Sequence, residues 1–192
     1  MKILDDKTIK LDRELNELDL FVLDFVKILE SHAKYVLISG YVALLFGRSR
    51  TTEDVDLFIE KMDLQTSKAL YEDLLSHGFW ALNASSGEDM YDALAQEKIA
   101  IRFAKEGRSI PNVELKFVKD ALDMSALHDR IKVITKNGEL WISGIEMQIA
   151  YKRFVLQSDK DFEDARHLQR LFEISDENIN KYKRVLREHG RC

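Results

Sequence analysis

The spacing of apolar residues changes along this chain, and that change constrains the fold more than any other feature. In the first three quarters, short apolar runs of strand length alternate with segments in which apolar residues recur every three and four positions, as in helices. From Gly144 onward only the helical spacing remains. We therefore predict a core of strands and helices over residues 1–143 and a helical C-terminal region over residues 144–192. The alternative is one continuous domain in which those helices cover a face of the sheet.

Turn signals divide these patterns into elements. The Asn137-Gly138 pair between two β-rich runs is typical of a β-hairpin. Gly78 follows a helical segment as a C-cap, and Ser175 precedes one as an N-cap. Residues 83–93 have the composition of an exposed loop. The predicted strands are 35–38, 55–59, 99–104, 113–118, 131–135 and 139–142, and the predicted helices are 11–33, 41–47, 64–75, 144–157, 159–173 and 176–189.

Composition narrows the class of protein. Apolar residues make up 45% and charged residues 33% of the 192 residues, which is typical of soluble globular proteins. The net charge of −5 argues against a general nucleic-acid coat, although it is compatible with RNA binding at a local patch. The single cysteine, Cys192, fits a reducing compartment, and we predict a cytoplasmic protein. No stretch approaches the roughly 18 apolar residues of a spanning helix, which predicts no membrane association.

Two aspartates at the start of a predicted strand form the first half of a candidate site. Asp54 and Asp56 are two positions apart, so their carboxylates project from the same face of the strand. Like charges this close repel each other unless a cation lies between them, and carboxylate oxygens suit Mg²⁺ or Mn²⁺. An isolated Asp-x-Asp is usually a solvated strand edge, so the pair indicates a site only in combination with its neighbours.

A small-residue turn before the aspartates forms the second half. Ser39 and Gly40 join a predicted strand to a predicted helix, where a glycine lets the backbone approach a ligand and free N–H groups meet phosphate. Arg50 and Thr52 fall between this turn and the aspartates, and they could orient the loop or contact phosphate. The combined pattern predicts a nucleotide-binding turn next to a metal site.

This stretch resembles the nucleotidyltransferase superfamily, which has the DNA polymerase β-like fold, and within it the AbiEii-like group that includes type IV toxin–antitoxin nucleotidyltransferases. The motif of that group is Gly-Gly, a short helix, Gly, two residues and Arg-x-Thr-x-Asp-x-Asp. One position departs from it, because the first glycine is Ser39 here. The resemblance covers roughly residues 35–172 and implies an α+β fold with a nucleotidyltransferase-like mixed β-sheet, flanking helices and a helical C-terminal region. The matching positions are Gly40, Gly47, Arg50, Thr52, Asp54 and Asp56.

The resemblance implies further site residues. It requires a third, metal-binding and catalytic carboxylate on a later strand, and Glu114 is the best match, although the family usually has aspartate there. The alternative for Glu114 is an outward-facing residue paired with Lys116. A later helical signature matches Lys152 and Asp161, with Asp164 one helical step further on. Lys152 would contact the triphosphate, and Asp161 would position Lys152 or a neighbouring base; the alternative is a solvated helix face with ion pairs.

Together these features predict a metal-dependent nucleotidyltransferase. Asp54, Asp56 and Glu114 would hold Mg²⁺ (or Mn²⁺) that bridges a nucleoside triphosphate, and an acceptor hydroxyl would attack the α-phosphorus with loss of pyrophosphate. The acceptor is left open as RNA, a protein or a small molecule, and the resemblance implies a toxin with an antitoxin partner. The alternatives are a catalytically inactive nucleotide-binding protein of the same fold and an interaction protein in which the Asp pair is incidental.

Overall fold

Nine strands form one mixed β-sheet in the computed structural model, which describes residues 1–192. Five neighbouring pairs are antiparallel and three are parallel. The strand order across the sheet is β1-β2-β8-β9-β3-β4-β7-β6-β5. The strands are β1 (Lys2–Asp5), β2 (Thr8–Lys10), β3 (Tyr35–Leu37), β4 (Asp54–Ile59), β5 (Phe79–Ala81), β6 (Ile101–Lys105), β7 (Asn112–Phe117), β8 (Ile131–Ile134) and β9 (Glu139–Ile142).

Eight α-helices accompany the sheet, which confirms the predicted α+β class. Short π-helical turns over Ala93–Glu97 and Lys152–Leu156 extend the fourth and sixth helices. None of the helices has the length and apolar character needed to cross a bilayer. The helices are α1 (Glu17–Leu29), α2 (Gly40–Leu45), α3 (Leu64–Ser76), α4 (Gly87–Asp92), α5 (Ala121–His128), α6 (Ile145–Tyr151), α7 (Asp159–Leu171) and α8 (Asp176–Glu188).

Strand β4 lies near the middle of the sheet, between β3 and β7, and its sequence alternates as a two-faced strand requires. Val55, Leu57 and Ile59 are fully buried. The residues between them face the opposite side, so Asp54 and Asp56 share one face, as their spacing predicts. The centre of the sheet therefore presents acidic residues on one face and core residues on the other.

The hydrophobic core is continuous from the sheet into the C-terminal helices. A single cluster of 44 buried residues joins side chains of β3, β4 and β7 to Ile149 of α6, Leu168 of α7 and Ile179 of α8. Phe25 of α1 and Phe79 of β5 pack edge to face, with ring centroids 5.2 Å apart. This core fixes α6 and α7 against the sheet, and the boundary at residue 143 stays a prediction.

The structure corrects two predicted elements. Residues 83–93, predicted as a loop, contain α4, because Ser86 accepts a hydrogen bond from the Asp89 amide as an N-cap and Met90 is fully buried. The first helix, predicted over residues 11–33, begins only at Glu17, where Asn16 forms a capping box with Asp19. The predicted hairpin at Asn137-Gly138 is confirmed by β8 and β9.

Three features escaped prediction. The β1–β2 hairpin and β5 consist of very short strands, and β1 is exposed along its whole length, so no alternation of apolar residues marks it. Helix α5 has no apolar stripe and is defined mainly by its cap, Asp120, which accepts hydrogen bonds from two amides. The predicted helix over 144–157 changes at Lys152 from α-helical to π-helical geometry, a local irregularity that is frequent at functional sites.

Candidate active site

Three carboxylates lie side by side on β4 and β7. These strands are parallel neighbours, and the register places Asp56 directly opposite Glu114, with Asp54 opposite Asn112. Asp54 is exposed, Asp56 is partly buried, and the Glu114 side chain is only 11% exposed. The two strands thus bring together the acidic residues that the sequence predicts for the site, 58 and 60 positions apart in the chain. We name Asp54, Asp56 and Glu114 the acidic face.

Two cations neutralise part of the acidic face. Lys116 Nζ lies 2.5 Å from Asp56 Oδ1 and 3.0 Å from Glu114 Oε2. From the neighbouring strand β6, Arg102 Nη2 lies 2.6 Å from Glu114 Oε1. Lys116 was predicted only as the partner of Glu114 in the alternative interpretation of that residue. Arg102 was not predicted, because its place opposite Glu114 depends on the β6–β7 register. Glu114 is therefore both part of the acidic face and an ion-pair partner.

The electrostatics of the acidic face differ from one carboxylate to the next. Partial burial raises the pKa of Asp54 above its usual value, and the negative charges of Glu114 and Asp56 add to the rise. Burial acts in the same direction on Glu114, but hydrogen bonds from Lys116 and Arg102 outweigh it and hold the pKa of Glu114 below its usual value. Asp54 has neither an ion pair nor a side-chain hydrogen bond, so it is the carboxylate whose charge remains least compensated.

The chemistry of the acidic face suits a divalent metal ion. All three donors are hard carboxylate oxygens, which Mg²⁺ and Mn²⁺ prefer, and Asp54 has no ion pair with a side-chain cation. In this structure no three acidic, histidine or cysteine side chains are arranged to share one ion. Glu114 is instead turned towards Lys116 and Arg102. The residues that fit a metal ion best are consequently Asp54 and Asp56.

The turn before α2 has an unusual backbone. Ser39 adopts φ 64° and ψ −134°, a backbone conformation that residues other than glycine rarely adopt. It stands where the related motif has its first glycine, so this chain keeps a glycine-like backbone without the glycine. Ser39 also lines a cavity of about 340 Å³ together with Asp56 and Lys116. The strained turn is thereby placed beside one carboxylate of the acidic face.

We expect Ser39→Gly to stabilise the fold by about 1 kcal/mol, because it removes the strain of a serine at positive φ. Urea denaturation would measure the free energy of unfolding. Ser49→Gly is the matched control, since Ser49 lies in a loop without positive φ and glycine there only loosens the unfolded chain. If the Ser39→Gly protein is no more stable than the wild type, the backbone of Ser39 does not destabilise the fold.

Gly40 is required for contact with an arginine. A Cβ at Gly40 would lie 2.1 Å from Arg50 Nη2, so the guanidinium lies directly against the glycine backbone. Arg50 is held there by Asp164, with Nε 3.1 Å from Oδ1 and Nη2 3.1 Å from Oδ2. Arg50 therefore ties the small-residue turn to helix α7 in this structure. Thr52 also makes a contact within the protein, because its Oγ1 donates a hydrogen bond to the Asp54 carbonyl at 2.9 Å.

Lys152, Asp161 and Asp164 form a buried network with Arg50. Lys152 Nζ donates to Asp161 Oδ1 at 3.2 Å and to Asp164 Oδ2 at 2.9 Å, and the Lys152 side chain is only 1% exposed. Although burial opposes it, the hydroxyl of Ser158 and the charge of Lys152 lower the pKa of Asp161. Lys152 thus faces two carboxylates inside the protein, which suits a positioning role for the network behind the Ser39–Gly40 turn.

The cavity beside the acidic face lies between the sheet and the helices that pack against it. The end of β3, β4 and β7 form one side, and α5, α6 and the π-helical turn form the other. Asp123, Ser143 and Gln148 add polar groups to walls that are otherwise mainly apolar. This size and lining are typical of a pocket for a small molecule. Its lining residues are Ile38, Ser39, Asp56, Phe58, Lys116, Leu122, Asp123, Ala126, Ser143, Met147, Gln148, Tyr151 and Leu156.

No protein-family model and no curated protein matches the sequence. Solved structures do match. An antigenic nucleotidyltransferase-like protein from Paracoccidioides brasiliensis is 18% identical with a TM-score of 0.51, over 91% of this chain and 90% of that one. The antibiotic-resistance factor ANT(2'')-Ia in solution is 11% identical with a TM-score of 0.55, over 88% of this chain and 91% of that one. The crystal structure of ANT(2'')-Ia with adenylyl-2''-tobramycin is 11% identical with a TM-score of 0.56, over 88% of this chain and 97% of that one.

These neighbours establish the fold of the chain as nucleotidyltransferase-like. The agreement extends over about nine-tenths of each chain. At these low identities the likeness concerns architecture alone. The narrower resemblance to the AbiEii-like group stays a prediction.

Proposed function

We propose that this protein is a divalent-metal-dependent nucleotidyltransferase, which transfers a nucleoside monophosphate from a nucleoside triphosphate to a hydroxyl group. The observation that carries the proposal is the acidic face itself, three carboxylates on adjacent parallel strands beside a cavity that Asp56 and Ser39 line. The nucleotidyltransferase-like fold supports it, because an acidic cluster on such a scaffold suits phosphoryl chemistry.

Each part of the site has a distinct task in this proposal. Asp54 and Asp56 would hold Mg²⁺ or Mn²⁺, which supplies charge neutralisation for a bound triphosphate and a developing pyrophosphate. Ser39 and Gly40 would place the nucleotide, because their turn lies against the same cavity. Glu114, whose pKa is held low, remains ionised and suits charge balance better than proton abstraction.

The positioning residues lie behind the turn. Arg50 and Thr52 fix the loop that leads into β4, and Lys152 and Asp161 complete the network that holds Arg50 in place. In the transfer step the acceptor oxygen bonds to the α-phosphorus, the bond between that phosphorus and the bridging oxygen breaks, and pyrophosphate leaves. The hydroxyl proton passes to solvent. Catalysis then comes mainly from orientation and charge neutralisation.

The acceptor class to test first is a small molecule. ANT(2'')-Ia, a neighbour by fold, was crystallised with adenylyl-2''-tobramycin, a nucleotidylated small molecule. RNA and protein acceptors, and with them a toxin role opposed by an antitoxin protein, follow only from the AbiEii-like resemblance. Growth arrest on expression would support that second group of acceptors.

Label transfer tests the proposal. The protein is incubated with Mg²⁺ and each of four triphosphates labelled at the α-phosphate, together with an aminoglycoside panel, total RNA or cell protein. We expect label on one acceptor class and an equal amount of released pyrophosphate. The rival function, nucleotide binding without turnover, is favoured by the neutralisation of Asp56 and Glu114 by Lys116 and Arg102. Tight triphosphate binding with no pyrophosphate release from any acceptor would establish the rival.

A further inference from the structure

Lys116 lies where a cation shared by two carboxylates would lie. It stands two positions after Glu114 on β7, so both side chains leave the same face of the strand. Its ammonium contacts Asp56 and Glu114 at once, at 2.5 and 3.0 Å. The side chain is three-quarters buried, with 26% of it exposed, so solvent screens these contacts less than it would at the surface.

The charge balance of the acidic face sets how many further cations it accepts. Asp54, Asp56 and Glu114 carry three negative charges. Lys116 and Arg102 carry two positive charges, so the net charge of these five side chains is −1. One divalent ion would bring this cluster to +1, whereas two would bring it to +3. Like charges at such short range repel strongly, so a second ion is unfavourable while both side-chain cations stay in place.

Geometry points in the same direction. Both oxygens of Glu114 are engaged, Oε1 by Arg102 and Oε2 by Lys116. A second ion that bridged Asp56 and Glu114 would have to displace the Lys116 ammonium. Asp54, in contrast, is free of ion pairs and reaches the same face as Asp56, so a first ion needs no such displacement.

We propose that Lys116 is a built-in cation of the acidic face, and that the protein consequently holds one divalent ion, between Asp54 and Asp56, instead of two. This inference rests on the proposed function and refines it. Glu114 is then a positioning residue that holds Lys116 and Arg102, and Lys116 substitutes for the charge of a second metal ion. A lysine with a purely structural role would affect stability and leave the number of bound ions unchanged.

Counting Mn²⁺ ions tests this inference without any activity assay. Mn²⁺ alone is titrated into the full chain, and bound ions are counted from the loss of the free-ion signal in electron paramagnetic resonance. We expect one site in the wild type. Lys116→Met should gain a second site, or bind its first ion about tenfold or more tightly, because a positive charge in contact with the ligands has gone.

Two further variants sharpen the count. Lys61→Met removes the same charge from an exposed lysine with no ion pair and should leave the titration unchanged. In Glu114→Gln/Lys116→Met a negative and a positive charge are lost together, and the count should return to one. Circular dichroism checks folding; if Lys116→Met is unfolded, Lys116→Gln, which keeps a hydrogen-bond donor without the charge, replaces it with the same expected counts.

The outcomes separate this inference from the proposed function. A Lys116→Met protein that binds one ion with wild-type affinity overturns the inference. Two ions in the wild type overturn it as well, while the proposed metal-dependent function stands. A wild type that binds no Mn²⁺ overturns both.

Discussion

Asp54→Ala combined with Asp56→Ala is expected to lower nucleotidyl transfer at least a thousandfold while the protein stays folded. Removing the ligands of the divalent ion removes several kcal/mol of charge stabilisation in the transition state, which corresponds to about three powers of ten in rate. Asp54 is exposed and Asp56 partly so, and the core side of β4 is untouched. Pyrophosphate release measures transfer, and thermal unfolding followed by circular dichroism measures folding.

The control for this prediction is Glu53→Gln. Glu53 immediately precedes Asp54 and is exposed, and its side chain forms no ion pair or hydrogen bond, so it tests whether loss of a nearby negative charge is enough to reduce activity. We expect Glu53→Gln to retain transfer within about twofold. Transfer retained by the double alanine variant would refute the role of the two aspartates, since no other carboxylates of β4 could replace them.

Asp164→Asn is expected to destabilise the protein by about 3–5 kcal/mol. Asp164 is fully buried and accepts from both Arg50 and Lys152, with Arg48 Nε a further 3.7 Å from its Oδ1, so its neutralisation leaves uncompensated positive charge inside the protein. The loss of the Arg50 contacts would also release the guanidinium that lies against Gly40. Urea denaturation gives the change in the free energy of unfolding.

Asp159→Asn is the matched control for Asp164, because it lies on the same helix but is exposed, and it should change stability by less than about 0.5 kcal/mol. A double-mutant cycle with Arg50→Met then isolates the pair. We expect a coupling free energy of about 1.5 kcal/mol or more between Asp164 and Arg50. Independent effects of the two substitutions would show that the network does not act as a unit.

The parts of the site that depend on short-range spacing were open to prediction from the sequence. Asp54 and Asp56 share a face because strand side chains alternate, and this holds whichever strands lie beside β4. The pairing of Lys152 with Asp161 was predicted from the family resemblance, and it joins residues nine positions apart at the end of one helix and the start of the next. The mixed sheet itself followed from the alternation of strand and helix patterns and from the family resemblance.

The parts that depend on register were not open to prediction. Arg102 meets Glu114 only because β6 pairs antiparallel with β7 in one particular alignment, and no local pattern specifies it. The contact between Gly40 and Arg50 was also missed, because it depends on Asp164 of α7 holding the guanidinium against the turn. Burial of Lys152 was hidden for a similar reason: a lysine in a charged helical stretch reads as solvated until its partners on α7 are known.

A crystal structure of the protein with Mn²⁺ and a non-hydrolysable triphosphate, with the ion located by its anomalous scattering, would show directly whether Asp54 and Asp56 hold the metal ion. We expect one strong peak in contact with carboxylate oxygens of both Asp54 and Asp56 and with phosphate oxygens, while Lys116 stays between Asp56 and Glu114. A peak remote from Asp54 and Asp56, or a triphosphate bound outside the cavity that Ser39 lines, would contradict it.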